Sequence, residues 1–197
     1  KITNLLIYSI FMNPYTKKCY DDKKFAFLSD YVRLVVIEAN GGIYFDTDVE
    51  VVKSFDDLLD CKAFFGFETN EYVNTGVGFG AEAHNPAIIQ MLKEYEPLLD
   101  GRQGIIGCPH LNTKALIKCG LKKNGQKQDL KDASVFPAEY FNPYDAPTGK
   151  LNKSELTYSI HWYAASWMDK KQRLRSKISK PIHRLLGKDF FRKKQKN

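Results

Sequence analysis

The chain has 197 residues, of which 43% are hydrophobic, and a formal net charge of +7. This length and apolar content suit one domain with a substantial core rather than two domains. No run approaches the ~18 apolar residues that span a bilayer, and the opening LLIYSIF lacks a signal-peptide cleavage pattern. We therefore expect a cytoplasmic protein. The four cysteines show neither CxxC nor metal-ligand spacing, so they are predicted to be reduced thiols outside any site.

The positive charge is concentrated at the C-terminal end. Residues 170–197 contain twelve Lys or Arg and one acid, Asp189, whereas residues 1–169 contain 18 basic and 22 acidic residues, a net charge of −4. A nucleic-acid-binding fold spreads basic residues over one face with aromatic residues among them. The mildly acidic body therefore argues against a nucleic-acid partner.

Helical and extended segments alternate along the chain. Apolar residues at helical spacing predict a helix from about Phe25 to Ala39 with a stop signal at Asn40-Gly41, followed directly by the strand IYF. The later predicted elements are a short helix near residues 56–59, the strand AFFGFE, the Asn85-capped helix NPAIIQMLKEYEPLL, the extended stretch ASVFPAEYFNPYD and a last strand in LTYSIHWYAASW. This order predicts a single α/β domain with a mixed, mostly parallel central sheet flanked by helices.

The stretch GGIYFDTDVE, residues 41–50, places two aspartates one residue apart after a buried strand. Strand side chains alternate between faces, so Asp46 and Asp48 are expected side by side at a strand end, where α/β sheets bind ligands. Adjacent carboxylates repel each other, and a divalent cation between them resolves the repulsion. Carboxylate oxygens suit Mn²⁺ or Mg²⁺ and leave coordination positions open for a diphosphate.

A second chemistry fits the same letters. An apolar run followed by D-x-D-x-V also opens phosphohydrolases of the haloacid dehalogenase type, in which Asp46 would be the nucleophile and Asp48 the acid. That chemistry needs a further acidic pair on a later strand, and its first motif lies on the opening strand of the domain. Here a complete helix precedes the motif and no such pair follows, so the phosphohydrolase remains the weaker alternative.

An ordered set of segments extends the pattern: SDYVRL, GGIYFDTDVE, GFE, NTGVGFGAEAHNPAI, CPHLNT, VFPAEYFNPYD and SIHWYAASW. Together they resemble the DXD-containing glycosyltransferases of bacterial capsular polysaccharide synthesis, which are related to the yeast initiating mannosyltransferases. The resemblance covers residues 13–168. It implies a GT-A fold, a nucleotide-sugar donor, a divalent metal that is usually Mn²⁺, and transfer with retention of configuration to a saccharide or lipid-linked acceptor.

The resemblance also implies a metal-binding set. Asp48 is expected to bind the metal directly, and Asp46 to contact the metal's water shell or the ribose. His161, in SIHWYAASW, is expected to complete the metal or diphosphate site, because imidazole is an ordinary Mn²⁺ ligand. Relatives often carry a second histidine at the next position, where this chain has Trp162.

Further residues are implied on the donor side. Asp30 and Arg33, three apart on one helix face, are expected to contact the donor sugar and its phosphates, and with Asp46 and Asp48 they form the expected catalytic set. Asn74 is a candidate contact to a sugar hydroxyl, and the Trp167 indole a candidate donor to the diphosphate. The glycines of GVGFG lack the context of a dinucleotide-binding loop and are interpreted as allowing close backbone approach.

Relatives begin with a strand of the form IPKIIHYCWFG that brackets the nucleotide base, and nothing similar precedes Asn13. We therefore expect either a fragment that lacks the first nucleotide-binding strand or a domain in which the opening segment KITNLLIYSIF substitutes for it. This departure keeps open a different class of function, a non-catalytic protein that binds sugar nucleotides or carbohydrate on the same fold.

The segment 169–197 is predicted to be a basic amphipathic tail, separate from a catalytic domain at 1–168. Apolar residues recur there at helical spacing among the cations, although Pro181 is expected to break or kink the helix; they are Leu174, Ile178, Ile182, Leu185 and Leu186, followed by Phe190 and Phe191. Such a segment suits an anionic membrane surface. It predicts a peripheral location at the inner face of the plasma membrane, where a lipid-linked acceptor would lie.

Overall fold

The computed structural model describes residues 13–164 and 179–187. The helices within these stretches are α1 (Pro14–Asp21), α2 (Phe25–Asn40), α3 (Pro86–Tyr95), α4 (Cys108–Lys118), α5 (Ala138–Phe141) and α6 (179–186). Short 3₁₀ turns lie at Asp56–Leu58, Thr75–Val77 and Glu96–Leu98. None of the helices in the described stretches combines the length and apolar character needed to cross a bilayer.

The strands are β1 (Gly42–Tyr44), β2 (Val49–Val51), β3 (Ala63–Thr69), β4 (Tyr72–Val73), β5 (Phe79–Ala81), β6 (Gln128–Asp129), β7 (Ser134–Phe136), β8 (Tyr144–Asp145), β9 (Lys150–Leu151) and β10 (Ser159–His161). The main sheet has the order β1-β5-β3-β7-β6, with β4 paired to β3. Strand β2 pairs with β10, and β8 pairs with β9, in two smaller two-stranded sheets. The predicted α/β fold with a mixed sheet flanked by helices is confirmed.

The prediction that the sheet is mostly parallel is wrong. Among the described strands of the main sheet, only β3 and β7 run parallel, while the β1–β5, β5–β3, β3–β4 and β6–β7 pairs are antiparallel. A parallel pair needs a long crossover, which the chain supplies between β3 and β7 through α3 and α4. The other neighbouring strands of this sheet run in opposite directions, and β3 and β4 are joined by a two-residue turn.

The alternating side chains of β3 build two hydrophobic layers on opposite faces of the sheet. Phe65 and Phe67 pack into the larger cluster, which the buried sides of α1 to α4 complete. Phe64 points to the other face, where it joins a smaller, mostly aromatic cluster with Phe55 and Phe141. Both faces of the central strand are therefore covered, which explains its nearly continuous apolar sequence.

Local signals account for two of the helices. Helix α2 extends one residue beyond the predicted Ala39, to Asn40, and its C-cap is Gly41, whose φ of 65° suits glycine. The Asn85 side chain accepts a hydrogen bond from the Ala87 N–H, so it caps α3 as predicted. The stretch ASVFPAEYFNPYD is only partly extended, because α5 interrupts it and brings Phe141 into the smaller core cluster.

Candidate active site

The two aspartates of the DXD motif lie in a tight turn rather than on a strand. Strand β1 ends at Tyr44 and β2 begins at Val49, and the Val49 N–H donates to the Asp46 carbonyl oxygen at 3.1 Å. The expected alternation along one strand therefore does not apply to Asp46 and Asp48. The reversal of the chain brings both carboxylates to one side instead, toward β10.

Strand β10 delivers His161 to this turn. Its pairing with β2 places His161 opposite Val49, the residue directly after Asp48. His161 Nε2 lies 3.1 Å from Asp48 Oδ1 and 3.9 Å from Asp46 Oδ2, and one ligand atom from each residue falls within 4.8 Å of the others. The structure thus brings together the three residues expected to hold the metal, from segments more than 110 residues apart.

The segment after His161 fastens Asp48 in place. The Trp162 N–H donates to the Asp48 carbonyl oxygen at 3.0 Å, and the Ala164 N–H donates to Asp48 Oδ2 at 2.7 Å. The Trp162 indole N–H donates to Glu50 at 2.9 Å, so Trp162 adds an exposed side-chain hydrogen bond between the end of β10 and β2. One carboxylate oxygen of Asp48, Oδ1, then faces His161.

Asp46 is held from behind by Arg33 and Tyr44. Asp46 Oδ1 accepts hydrogen bonds from Arg33 Nη1 at 3.0 Å and from the Tyr44 hydroxyl at 2.9 Å. Burial, with the Asp46 charge adding to it against the opposing charge of Arg33, raises the pKa of Tyr44 to about 12, so its hydroxyl stays a donor at neutral pH. Asp46 Oδ2 remains directed toward His161.

Arg33 is part of a buried ion cluster. It pairs with Asp30 one helical turn earlier as well as with Asp46, and its side chain is 2% exposed. As predicted, Asp30 and Arg33 lie on one face of α2, where they are buried together with Leu34 and Ile37. The arrangement places the guanidinium behind Asp46, however, so it orients that carboxylate in the structure as it stands. Direct contact of Arg33 with a donor stays a prediction.

The ligand set fits a divalent cation. Asp30 and Asp46 pair with the Arg33 guanidinium, and Asp48 adds a third carboxylate beside His161, so the three carboxylates and one guanidinium carry a net charge of −2. One ligand atom from each of Asp46, Asp48 and His161 lies within 4.8 Å of the others, so one divalent cation would be held by all three residues. Two oxygens and one imidazole nitrogen suit Mn²⁺ or Mg²⁺, and such a set leaves further positions open.

Asn74 lies at the edge of the site, but protein groups already occupy its side chain. Its Oδ1 accepts from the Gly76 N–H at 2.7 Å and from Cys108 Sγ at 3.3 Å, and its Nδ2 donates to Glu68 at 3.2 Å. Burial raises the pKa of the Cys108 thiol to about 11, so it remains a neutral donor. Asn74 therefore shapes the loop as a cap, and its contact to a sugar hydroxyl stays a prediction.

Gly76 belongs to the GVGFG stretch that was interpreted as allowing close backbone approach, whereas Cys108 and the pair formed by Glu68 and Tyr163 were missed. A Cβ on Gly76 would lie 2.6 Å from Asp46 Oδ2, so only glycine lets this loop pass the carboxylate. Tyr163 has a φ of 49°, rare for a large residue, and donates from its hydroxyl to Glu68 at 2.9 Å. The glycine-rich NTGVG was the available signal for Gly76; Cys108 and Tyr163 had no local signal.

Helix α4 supports the loop that carries Asn74. The Asn112 side chain donates to the Thr75 hydroxyl at 3.0 Å, and the Thr113 hydroxyl accepts from the Val73 N–H at 2.9 Å. Two residues of CPHLNT, Asn112 and Thr113, therefore hydrogen-bond to the chain on either side of Asn74. Trp167, expected to contact the diphosphate, lies outside the described residues.

Comparison with known proteins places the site in context. Residues 5–65 match the model of a family described as a glycosyltransferase sugar-binding region containing a DXD motif. The match includes α2, β1 and the turn that carries Asp46 and Asp48. The described residues thus form a mixed α/β fold, and the match of residues 5–65 to a DXD glycosyltransferase region supports a sugar-transfer function.

One curated relative illustrates both the similarity and its extent. Glucan organizing enzyme 1 of Cryptococcus neoformans var. grubii serotype A is 44% identical to the chain over 48 residues. These residues are 24% of this chain, and the chain spans 13% of the length of that relative. This relative is fungal, so the assignment of the chain to the bacterial capsular enzymes stays a prediction.

Proposed function

We propose that this protein is a metal-dependent glycosyltransferase that moves a hexose from a nucleotide-sugar donor to a saccharide or lipid-linked acceptor. The observation that carries the proposal is the convergence of Asp46, Asp48 and His161 at one point of the fold. The match of residues 5–65 to a DXD glycosyltransferase region supports the same assignment.

The chain's own residues would divide the work as follows. Asp46 Oδ2, Asp48 Oδ1 and His161 Nε2 would hold a Mn²⁺ or Mg²⁺ ion, which when bound stabilises the negative charge that a departing nucleoside diphosphate acquires. Arg33 and Tyr44 hold Asp46 in the orientation that presents its second oxygen. The Ala164 N–H does the same for Asp48. This orienting shell is the kind of support on which metal affinity depends.

The finer assignment rests on the family resemblance. We propose that the reaction proceeds with retention of configuration and serves the assembly of a surface polysaccharide of the capsular type. We also propose that the basic tail holds the protein at the anionic inner face of the plasma membrane. The charge of residues 170–197 supports this last point.

The test is binding of a nucleoside diphosphate in the presence of Mn²⁺, measured by calorimetry for UDP and GDP, together with transfer from their sugar conjugates. Asp48→Asn should weaken Mn²⁺-dependent binding at least about 100-fold, because it removes a charged ligand with almost no change in volume. Asp60→Asn, an exposed aspartate on the loop before β3, is the matched control and should bind like the wild type.

Each result has one interpretation. Unchanged Mn²⁺-dependent binding in Asp48→Asn would contradict the metal site. Binding without transfer or donor hydrolysis, across the panel of sugar nucleotides, would instead support the non-catalytic alternative, a protein that binds sugar nucleotides without turnover.

A further inference from the structure

A cavity of about 570 Å³ lies beside the candidate metal site, between the end of β3, the segment after α5 and the β8–β9 hairpin. This volume is within the range of pockets that bind small ligands. None of the residues assigned to the metal or to the catalytic set lines it. The cavity is therefore a separate feature of the described residues.

Two residues form the wall between the cavity and the metal ligands. Glu68 and Tyr163 both line the cavity and are hydrogen-bonded to each other at 2.9 Å. On the other side, the Tyr163 ring packs edge-on against the His161 ring with centroids 4.1 Å apart, and Glu68 accepts from Asn74. A molecule in the cavity would thus lie one side chain away from the proposed metal.

The charges of the lining indicate the chemistry of the occupant. Glu68, Glu139 and Asp145 contribute carboxylates, and no lysine or arginine is among the described residues that line the cavity. Lys180, which does not line the cavity, donates to the hydroxyl of the lining residue Tyr144 at 3.0 Å. Carboxylates accept hydrogen bonds from hydroxyl groups but repel phosphates. The lining therefore favours a neutral molecule rich in hydroxyls over the diphosphate part of a donor.

Aromatic rings supply the apolar part of the lining. Tyr144 and Tyr163 both line the cavity, and Tyr144 is supported from outside by Trp162, with ring centroids 5.3 Å apart. Rings that are held in place by neighbours offer flat surfaces for the C–H face of a sugar. A pyranose presents both hydroxyl groups, which carboxylates can bind, and C–H groups, which aromatic rings can contact. The lining is therefore complementary to a pyranose.

We infer that this cavity is the acceptor subsite and binds one or two neutral sugar residues, with Glu68 and Asn152 hydrogen-bonding to their hydroxyls. The acceptor role rests on the proposed function, since only a transferase needs a second sugar site beside its metal. Saccharide binding by the cavity does not require the metal, so the two proposals fail separately.

The experiment measures binding of neutral glucose and mannose trisaccharides by saturation-transfer NMR, with trigalacturonic acid as the anionic comparison. We expect a neutral trisaccharide to bind the full-length protein with a millimolar Kd, roughly −4 kcal/mol. Ala146→Trp, at a half-buried wall position of the hairpin, should weaken that binding at least about tenfold by filling the cavity. Lys150→Trp places the same indole on an exposed position of the hairpin outside the lining, and should bind like the wild type.

A second variant is independent of the bulky substitution. Asn152→Ala keeps the backbone N–H that donates to the Pro143 carbonyl oxygen and removes only the side-chain amide, so it should weaken saccharide binding about threefold to tenfold. Mn²⁺-dependent nucleoside diphosphate binding is measured on every variant to report the state of the metal site.

Three results would overturn the inference: no neutral trisaccharide binding at about 20 mM, unchanged affinity in both Ala146→Trp and Asn152→Ala, or tighter binding of trigalacturonic acid. If the wild-type protein binds the saccharide but does not bind a nucleoside diphosphate, the proposed transferase function is overturned and the saccharide-binding cavity remains.

Discussion

At the scale of single residues, the site depends on a close approach between a backbone and a carboxylate. The loop after β4 passes so near the DXD turn that Gly76 faces Asp46, Asn74 and Arg33 together. The backbone of Gly76 has no positive φ, so glycine is required there for space rather than for conformation. Asp46 keeps its position because nothing larger occupies the neighbouring loop.

We predict that Gly76→Ala weakens Mn²⁺ binding at least about tenfold. The added Cβ would lie 2.6 Å from Asp46 Oδ2 and 3.3 Å from Arg33 Nη1, so the carboxylate must move away from His161. Overpacking should also lower the free energy of unfolding by about 1–3 kcal/mol. Calorimetric Mn²⁺ titration and thermal unfolding measure the two effects.

Gly104→Ala is the control, because a Cβ at that exposed glycine would meet nothing within 4 Å and its φ is not positive. It should leave Mn²⁺ binding unchanged and alter stability by less than about 1 kcal/mol. Equal Mn²⁺ affinity in the two variants would show that the contact at Gly76 does not position Asp46.

The surroundings of Asp46 also separate the transferase from the phosphohydrolase. Its Oδ1 is engaged by both Arg33 and Tyr44, and it follows β1, an edge strand of the described sheet. We predict that Asp46 is not a nucleophile, so fluoroberyllate with Mg²⁺ should not trap the protein and no aspartyl-phosphate should form. Mass spectrometry of protein incubated with acetyl phosphate checks this; a phosphorylated Asp46 would favour the phosphohydrolase.

At the scale of elements, an ion cluster joins helix α3 to helix α4, the helix that supports the loop carrying Asn74. Glu94 on α3 is buried, and its carboxylate pairs with Lys114 at 2.9 Å and with Lys118, both on α4. Burial alone would raise the pKa of Glu94, but the hydrogen bonds and charges of the two lysines outweigh it and hold the pKa below its ordinary value of 4.5. The two helices are therefore locked together by a charged carboxylate.

This lowered pKa predicts a pH dependence of stability. A carboxyl whose pKa is lower in the folded state stabilises that state above its unfolded pKa, and the contribution is lost as pH falls through the folded value. Glu94→Gln should lower the free energy of unfolding by about 2 kcal/mol at pH 7. The difference from the wild type should shrink as the pH falls below 4.5.

Urea unfolding at several pH values measures this difference. Glu96→Gln, at an exposed position two residues along the chain, should follow the wild-type pH dependence. A stability difference between Glu94→Gln and the wild type that is the same at pH 3 and pH 7 would mean that the charge of Glu94 does not lock the helices.

At the scale of the whole molecule, part of the basic tail returns to the domain. Helix α6 lies against the β8–β9 hairpin, where Arg184 donates to the carbonyl oxygens of Thr148 and Gly149 at 3.1 and 3.2 Å. Residues 179–186 are helical on both sides of Pro181, so the expected break does not fall within this described stretch. Leu185 and Leu186 are left 84% and 57% exposed.

Of the other apolar positions named for the tail, Ile182 lies in α6 and is half-buried. Leu174, Ile178, Phe190 and Phe191 lie outside the described residues. The membrane contact proposed above would use the two exposed leucines of α6 together with basic residues of the tail. The helix would place the membrane next to the hairpin that lines the proposed acceptor cavity.

We predict that replacing Leu185 and Leu186 together by serine weakens sedimentation with phosphatidylserine-containing vesicles at least about tenfold, since burying each leucine contributes roughly 1.5–3 kcal/mol. Leu59→Ser is the control, because Leu59 is 63% exposed on the loop before β3, away from α6. Vesicle binding of the double variant equal to that of the wild type in 150 mM salt would remove α6 from the membrane proposal.

The local sequence was sufficient to predict those elements whose formation depends on residues that are close together along the chain. Helix α2, the Asn85 cap and the existence of β1 and β3 follow from spacing, capping and apolar runs that act within one or two turns of chain. The residues of the DXD motif and His161 were also identifiable, because their chemistry and order along the chain resemble a known family. The positions of Asp30 and Arg33 on the buried side of α2 follow from the helical repeat.

The sequence by itself therefore determined the α/β class, the elements near the site and the residue types of a metal centre. Only the tertiary structure decided that the sheet is mostly antiparallel, that a turn rather than a strand presents Asp46 and Asp48, and that Tyr163 separates the ligands from a cavity. These features depend on which distant segments pair, as β2 does with β10. Such pairings are selected by the packing of the whole core, and no stretch of neighbouring residues encodes them.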